Sequence, residues 1–74
     1  MKTEEVKKII EENLKKMGSE DITFLETKDN SLIVAFNCKE ITSFVANIEG
    51  WTYTGIQLDS TTRHQYKIDF KKLP

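Results

Sequence analysis

The first quarter of the chain places apolar residues at the spacing of a helix with one buried face. The apolar positions are Val6, Ile9, Ile10, Leu14 and Met17. They follow the i, i+3, i+4 rule that is typical of an amphipathic helix. Thr3 is placed to cap the first turn, and Gly18 suits the left-handed exit from the last one. The pattern predicts a helix over residues 3–17.

Two β-rich runs follow this helix. They read "DITFLE" and "LIVAFN", and the turn-forming residues "KDNS" separate them. This arrangement is typical of a hairpin, and we predict its turn around Asp29 and Asn30. The second run is apolar on both faces, which favours a central strand with both sides covered.

The same order of patterns begins again at Asn37. Asn37 and Glu40 have the spacing of a capping box, and Gly50 ends the run as Gly18 ended the first. The apolar positions between them are Ile41, Phe44, Val45 and Ile48. They repeat the helical stripe and predict a second helix over residues 38–49. After it, "WTYTGIQL", the polar loop "DSTTR" and "HQYKIDF" predict a second hairpin.

Helix and hairpin are thus written twice, in the order αββαββ, within a single α+β domain over residues 1–74. The half-repeats cover about residues 1–37 and 38–74. Two helices on one face of a four-stranded antiparallel sheet bury both stripes and give a two-layer architecture. Moving the last strand to the front converts the order to βαββαβ, so the layout resembles in topology a circular permutation of the ferredoxin-like fold. The resemblance implies the strand order 3-4-2-1, with the second and fourth strands central.

The third predicted strand carries two aromatic and two aliphatic side chains whose orientation is open. The aromatic pair is Trp51 and Tyr53, and the aliphatic pair is Ile56 and Leu58. In a regular strand the two pairs point to opposite faces. A bulge at Gly55 inserts one residue and would direct both pairs toward the core. We favour a structural Trp51 that packs back on the end of the second helix, and the side of Tyr53 stays undecided.

The charge balance is nearly neutral. Lys and Arg total 11 against 12 for Asp and Glu, which gives a net charge of −1. Proteins that follow nucleic-acid phosphates usually have a basic excess, so this balance disfavours non-specific nucleic-acid binding. Cys38 is the single cysteine, which excludes an internal disulfide framework and favours a reducing compartment such as the cytoplasm. The acidic, interrupted start of the chain predicts neither a signal peptide nor a membrane span.

The open face of the predicted sheet is the leading candidate for a docking surface. The predicted interaction face comprises Leu25, Ile33, Ala35, Tyr53, Gln65 and Lys67. Apolar patches that stay exposed on small proteins usually mark interaction sites. We therefore expect Leu25, Ile33 and Ala35 to be exposed in the isolated chain and covered in the working state, by a protein partner or by a second copy in a homodimer.

An alternative hypothesis assigns the same region to RNA or single-stranded DNA. Aromatic side chains with cations beside them form the stacking platforms of such proteins. The candidate nucleic-acid or anion contacts are Trp51, Arg63 and His64, beside Tyr53 and Lys67. Neighbouring acidic residues dilute the positive potential, so nucleic-acid binding is the alternative and not the leading hypothesis.

Catalysis is the third hypothesis. The loop "DSTTRH", residues 59–64, offers a carboxylate, hydroxyls, an arginine and an imidazole, a mixture that ordinary hairpin loops also contain. Cys38 and His64 are an available nucleophile and base, but no pattern brings them together. One His and one Cys do not build a metal site, and no phosphate-binding glycine motif occurs, so we expect neither metal nor cofactor. The sequence favours a small non-catalytic interaction module, of the adaptor or stoichiometric inhibitor type, that docks through its open sheet face or an edge strand.

Overall fold

The computed structural model describes residues 2–59 and 63–74. Within them the chain forms a small, compact α+β fold with one helix and a five-stranded antiparallel sheet. The helix is α1 (Thr3–Lys16), and the strands are β1 (Glu20–Lys28), β2 (Ser31–Asn37), β3 (Trp51–Tyr53), β4 (Gln57–Leu58) and β5 (Tyr66–Lys72).

Helix α1 forms where the first apolar stripe predicts it. Its fully buried residues are Val6, Ile10 and Leu14. Gly18 ends the helix with a φ of 84°, and the N–H of Ser19 donates to the carbonyl of Leu14 at 3.1 Å, which closes the C-terminal turn. At the other end the prediction is wrong, because Lys2 and not Thr3 is the N-cap residue and no side chain caps the helix.

The sheet has the predicted strand order. Its strands run β1-β2-β5-β3, and β4 also pairs with β5. Since β3 and β4 are two parts of the predicted third strand, the order 3-4-2-1 is confirmed, with β2 and β5 central. β1 and β2 form the predicted hairpin, in which Lys28 lies opposite Ser31 across the two-residue turn.

The predicted third strand is divided at Gly55 by the bulge that glycine suggested. Tyr53 lies opposite Phe70 and Gln57 lies opposite Lys67. Four steps along this strand therefore match three along β5, so one residue is extra. Tyr53 and Ile56 both pack against the core on either side of the bulge. Leu58 also lies on the core side, opposite Tyr66, but it is 80% exposed and so does not pack in the core.

The second predicted helix does not form. Residues 38–48, which we call the arm, contain neither helix nor strand. Within the predicted stripe, Phe44 and Ile48 are buried, but Ile41 is 57% exposed and Val45 is 75% exposed. The Tyr53 hydroxyl accepts from the N–H of Ala46 and donates to its carbonyl, both at 3.2 Å. Because a helix needs those two backbone groups for its own ladder, this contact competes with helix formation. A two-helix, ferredoxin-like layout is therefore not confirmed.

Trp51 has the structural role that the sequence favoured. It is 7% exposed and belongs to the core cluster. Its N–H donates to the carbonyl of Ile48 at 3.2 Å across a four-residue turn, and Gly50 occupies the third position of that turn with a φ of 78°. Packing on a helix end is wrong as its mechanism, since a turn and not a helix precedes it.

The core lies between one face of the sheet and a layer made of α1 and the arm. Its buried residues are Val6, Ile10, Leu14, Leu32, Val34, Phe36, Cys38, Phe44, Ile48, Trp51, Ile68 and Phe70. α1 covers the β1 side, where the ammonium group of Lys7 lies 4.9 Å from the ring centre of Phe24. The arm covers the β3–β5 side, where the ring of Phe44 meets those of Tyr53 and Phe70 edge-on at 5.0 and 5.5 Å.

Candidate interaction surfaces

The face of the sheet opposite the core, which we call the outer face, differs from the predicted docking surface. Strand pairing places Ile33 beside Asp69 and Ala35 beside Lys67 on this face. Ile33 is half-buried and Ala35 is fully buried in the single chain. The expectation that Ala35 is exposed is therefore wrong.

His64 covers one end of the outer face. Its Nε2 atom lies 3.2 Å from the hydroxyl of Thr23, and Thr23 stands opposite Ala35 in the β1–β2 pairing. His64 therefore reaches from the segment before β5 across to β1, and it is 6% exposed. The chain thus covers part of its own open face, and the candidate nucleic-acid contact His64 is itself buried there.

A polar network occupies the other end of the outer face. The hydroxyl of Ser31 donates to Glu26 at 2.7 Å and accepts from Lys71 at 2.9 Å. The Nζ atom of Lys28 lies 3.2 Å from the second carboxylate oxygen of Glu26. The Ser31 hydrogen bond, followed by that from Lys28, lowers the pKa of Glu26 below its usual value. This end of the face is charged and internally paired, unlike an apolar docking patch.

The remaining predicted face and nucleic-acid residues do not meet on one surface. Trp51 and Tyr53 lie on the core side of the sheet, which leaves no pair of aromatic side chains on the outer face for bases to stack on. Arg63 and Gln65 are exposed and Lys67 is half-buried. The other predicted residue, Leu25, is 44% exposed and stands at a register shift in β1.

Among the candidate catalytic residues, Cys38 lines a surface groove. The thiol of Cys38 is buried and donates to the carbonyl of Glu40 at 2.9 Å. Asp59 and His64 are both buried, and residues 60–62 of the predicted catalytic loop lie outside the described residues. A groove of about 570 Å³ lies near the loop, and its charged lining residues are Glu20, Lys39 and Arg63. The groove thus holds the Cys38 thiol, one carboxylate and two cations, but the described lining does not place His64 there as a base for that thiol.

The β1 edge of the sheet is protected against further strand pairing. β1 carries Glu20, Asp21, Glu26 and Lys28, and its register with β2 shifts twice. At the first shift Asp21 adopts a φ of 53°, and its carboxylate accepts from the side-chain amide of Asn37 at 3.2 Å. Charges and bulges are the devices that keep an edge strand from pairing with another chain.

The opposite edge, formed by β3 and β4 from Trp51 to Leu58, carries no charged residue. We call it the β3–β4 edge. Leu73 donates to the carbonyl of Gly50, and Thr54 donates to the carbonyl of Asp69. Since inward and outward residues alternate along an antiparallel strand, Tyr53 directs its N–H and C=O away from β5.

The same alternation applies beyond the bulge. The N–H of Asp59 donates to the carbonyl of Gln65 at 3.0 Å, so the neighbouring residue Leu58 directs its backbone outward. Among the described residues, β3 and β4 each pair with β5, and no further strand lies on their outward side. Sequence reasoning considered an edge strand without choosing one, and the uncharged run "WTYTGIQL" was the signal for this edge.

The described residues add little chemistry beyond these surfaces. No group of three or more His, Cys, Asp or Glu side chains among residues 2–59 and 63–74 is arranged to hold a metal ion. The helix found in those same ranges is not of the length and apolarity that crossing a membrane requires. Comparison of the chain with protein-family models, with curated proteins and with solved structures gives no match.

Proposed function

We propose that this protein is a small, non-catalytic interaction module that docks another protein chain along its β3–β4 edge. The observation that carries the proposal is the uncharged edge with outward backbone groups at Tyr53 and Leu58. An extended segment of a partner supplies the matching donors and acceptors by adding a strand to the sheet.

Side-chain exposure supports the same edge. Leu58 is 80% exposed, and its cross-strand neighbour Tyr66 lies on the core side of β5. Val45, in the arm that covers this side of the core, is 75% exposed. A strand added to the edge gains main-chain hydrogen bonds from Tyr53 and Leu58, and the exposed leucine offers apolar contact beside them.

The outer face is less suited to docking than the sequence suggested. His64 covers one end of it, and its other end is a paired network around Glu26. A partner would have to displace these groups before it could contact Ile33 or Ala35, whereas the outward groups of the β3–β4 edge need no displacement. Cys38 is a buried thiol, which suits a reducing compartment, and we place the protein's action in the cytoplasm.

Site-specific photocrosslinking in the cell of origin tests the proposal. The variant Leu58→benzoylphenylalanine puts the photoreactive group on the β3–β4 edge. The matched control, Leu25→benzoylphenylalanine, puts it on the β1 edge at a residue that is 44% exposed. We expect protein adducts from position 58 that map to one extended segment of a partner, and none of these from position 25.

The opposite outcome contradicts the proposal. If adducts form from position 25, or from a third variant at Lys67 on the outer face, but not from position 58, the docking surface is not the β3–β4 edge. Binding of RNA or single-stranded DNA at low salt that Arg63→Ala and Lys67→Ala weaken would instead support the nucleic-acid alternative.

A further inference from the structure

We infer that the strand which fits the β3–β4 edge is the same edge of a second copy of this chain, paired antiparallel about a two-fold axis. This inference rests on the proposed function, because it names the partner of the same edge. It assigns one register, in which Tyr53 of each copy lies opposite Leu58 of the other.

The spacing of the outward groups leads to this register. Between Tyr53 and Leu58 the strand contains five steps, but the residues opposite them, Phe70 and Tyr66, are four steps apart. The bulge therefore sets the two outward positions about 13 Å apart, the length of four regular strand residues. A second copy has the same spacing, and antiparallel pairing brings each donor and acceptor of Tyr53 to those of Leu58.

A two-fold axis closes this contact. Both copies use the same surface, so pairing one edge satisfies the other at the same time and leaves no free β3–β4 edge for a further molecule. The opposite edge of each sheet, β1, carries charges and two register shifts that oppose continued growth. The assembly is thus expected to stop at a dimer.

The charge pattern also permits self-pairing. No residue from Trp51 to Leu58 is charged, so the paired segments do not repel one another. In the assigned register the next residue, Asp59, lies opposite Thr52 of the second copy and not opposite an acidic residue. Like charges directly opposite across a strand pair would destabilise it.

Two substitutions of Leu58 separate what its backbone N–H contributes to dimerisation from what its side chain contributes. Leu58→Pro removes the outward N–H but no donor to β5, and proline is tolerated on an edge strand in that orientation. Leu58→Ala removes most of the side chain and keeps the N–H. Because each dimer contains two such N–H groups, we expect the proline variant to dimerise about thirtyfold more weakly than the alanine variant, measured by sedimentation equilibrium.

A charge at the edge provides a second test that does not depend on proline. Leu58→Lys places an ammonium group at a side chain that is 80% exposed, so the monomer stays folded by circular dichroism. We expect it to abolish the dimer, while Leu25→Lys on the β1 edge leaves the dimer intact. A wild-type protein that is monomeric at 1 mM, or a dimer that survives in both Leu58→Pro and Leu58→Lys, would overturn the inference.

A peptide probe distinguishes failure of the dimer inference from failure of the proposed function. The peptide of residues 50–59 of this chain offers the edge segment alone. If the protein is monomeric but the backbone amides of Tyr53 and Leu58 become protected when an unrelated extended peptide is added, self-pairing is wrong and strand addition stands. If neither the 50–59 peptide nor an unrelated strand protects them, both are wrong.

Discussion

Helix α1 and the arm carry the same apolar stripe, yet only α1 is helical. Both segments have apolar residues at i, i+3 and i+4, and both are followed by a glycine with positive φ. In α1 the stripe faces the sheet and its central residues are fully buried. The arm buries Phe44 and Ile48 but exposes Ile41 and Val45. The comparison shows that a stripe selects which residues can be buried together, and does not by itself select the helix.

The residues outside the stripe account for part of the difference. In α1 they are mostly Glu and Lys, which are good helix formers, and they include the oriented i, i+4 pairs Glu4–Lys8, Glu11–Lys15 and Glu12–Lys16. In the arm they include Thr42, Ser43 and Asn47, each of which disfavours a helix by roughly 0.5 kcal/mol relative to alanine. Added over these three residues, the unfavourable helix propensity is comparable with the net free energy that holds a short helix together in water.

The largest expected effect tests whether the arm is nevertheless an integral part of the core. Phe44→Ala should lower the free energy of unfolding by about 3–5 kcal/mol, because it removes a buried ring that touches Tyr53 and Phe70. Urea denaturation followed by tryptophan fluorescence measures the change. The control Ile41→Ala, at a residue that is 57% exposed, should cost far less. Equal losses for the two variants would show that the arm is not packed as described.

The second prediction compares one residue type in the two segments. Val6 is fully buried in α1 and Val45 is 75% exposed in the arm. Val6→Ala should reduce the free energy of unfolding by about 2 kcal/mol, from lost burial and a residual cavity. Val45→Ala should change it by less than about 0.5 kcal/mol, as is usual for surface substitutions. A large loss at Val45 in thermal or urea unfolding would mean that the arm buries its whole stripe.

The third prediction concerns the glycines that end the two segments. Gly18 and Gly50 have φ values of 84° and 78°, and nothing lies within 4 Å of an added Cβ at either position. The cost of Gly→Ala is therefore conformational, and we expect about 1–2 kcal/mol at each site in urea unfolding. Gly55→Ala is the control, since it also has open space and lacks the positive φ. If Gly50→Ala is neutral, the turn after the arm is not left-handed.

The smallest expected effect concerns the hydrogen bonds that hold the arm out of the helical conformation. Tyr53→Phe removes the hydroxyl that binds both backbone groups of Ala46 and should cost about 1 kcal/mol of unfolding free energy. Amide hydrogen exchange at Ala46 should become faster, while exchange at Leu14 in α1 follows only the change in global stability. Unchanged exchange at Ala46 in the variant would exclude this hydrogen bond. Tyr66→Phe is a matched control on another strand.

Local patterns predicted the parts of the fold that local interactions determine. Helix α1, the turn at Asp29 and Asn30 and the bulge at Gly55 each follow from residues close together in the chain. The central positions of β2 and β5 followed from the doubled apolar pattern of "LIVAF" and from topology. The arm could not be predicted in this way, because its conformation depends on Tyr53, whose side of the sheet the sequence left open.

The surfaces were less predictable than the fold for a related reason. Ala35 alternates with core residues and so belongs to the outer face, but it is fully buried, and its strand neighbour Lys67 comes from a distant part of the chain. His64 reaches Thr23 over 41 residues of sequence, and no local pattern reports such a contact. The uncharged β3–β4 edge was visible in the sequence, but its outward groups became identifiable only with the register around the bulge.

The central position of β5 has a consequence for how fast the chain folds. The β1–β2 hairpin closes over a two-residue turn, but pairing β2 with β5 joins Ser31 to Lys71, which requires closure of a much longer loop. β3 and β4 are both paired with β5, so their hydrogen bonds also depend on that strand. Contacts between distant residues slow folding, because their entropy cost precedes their stabilisation. We therefore expect the docking of β5 to be the slow step of sheet formation, so that substitutions at Ile68 slow folding more than substitutions in the β1–β2 turn.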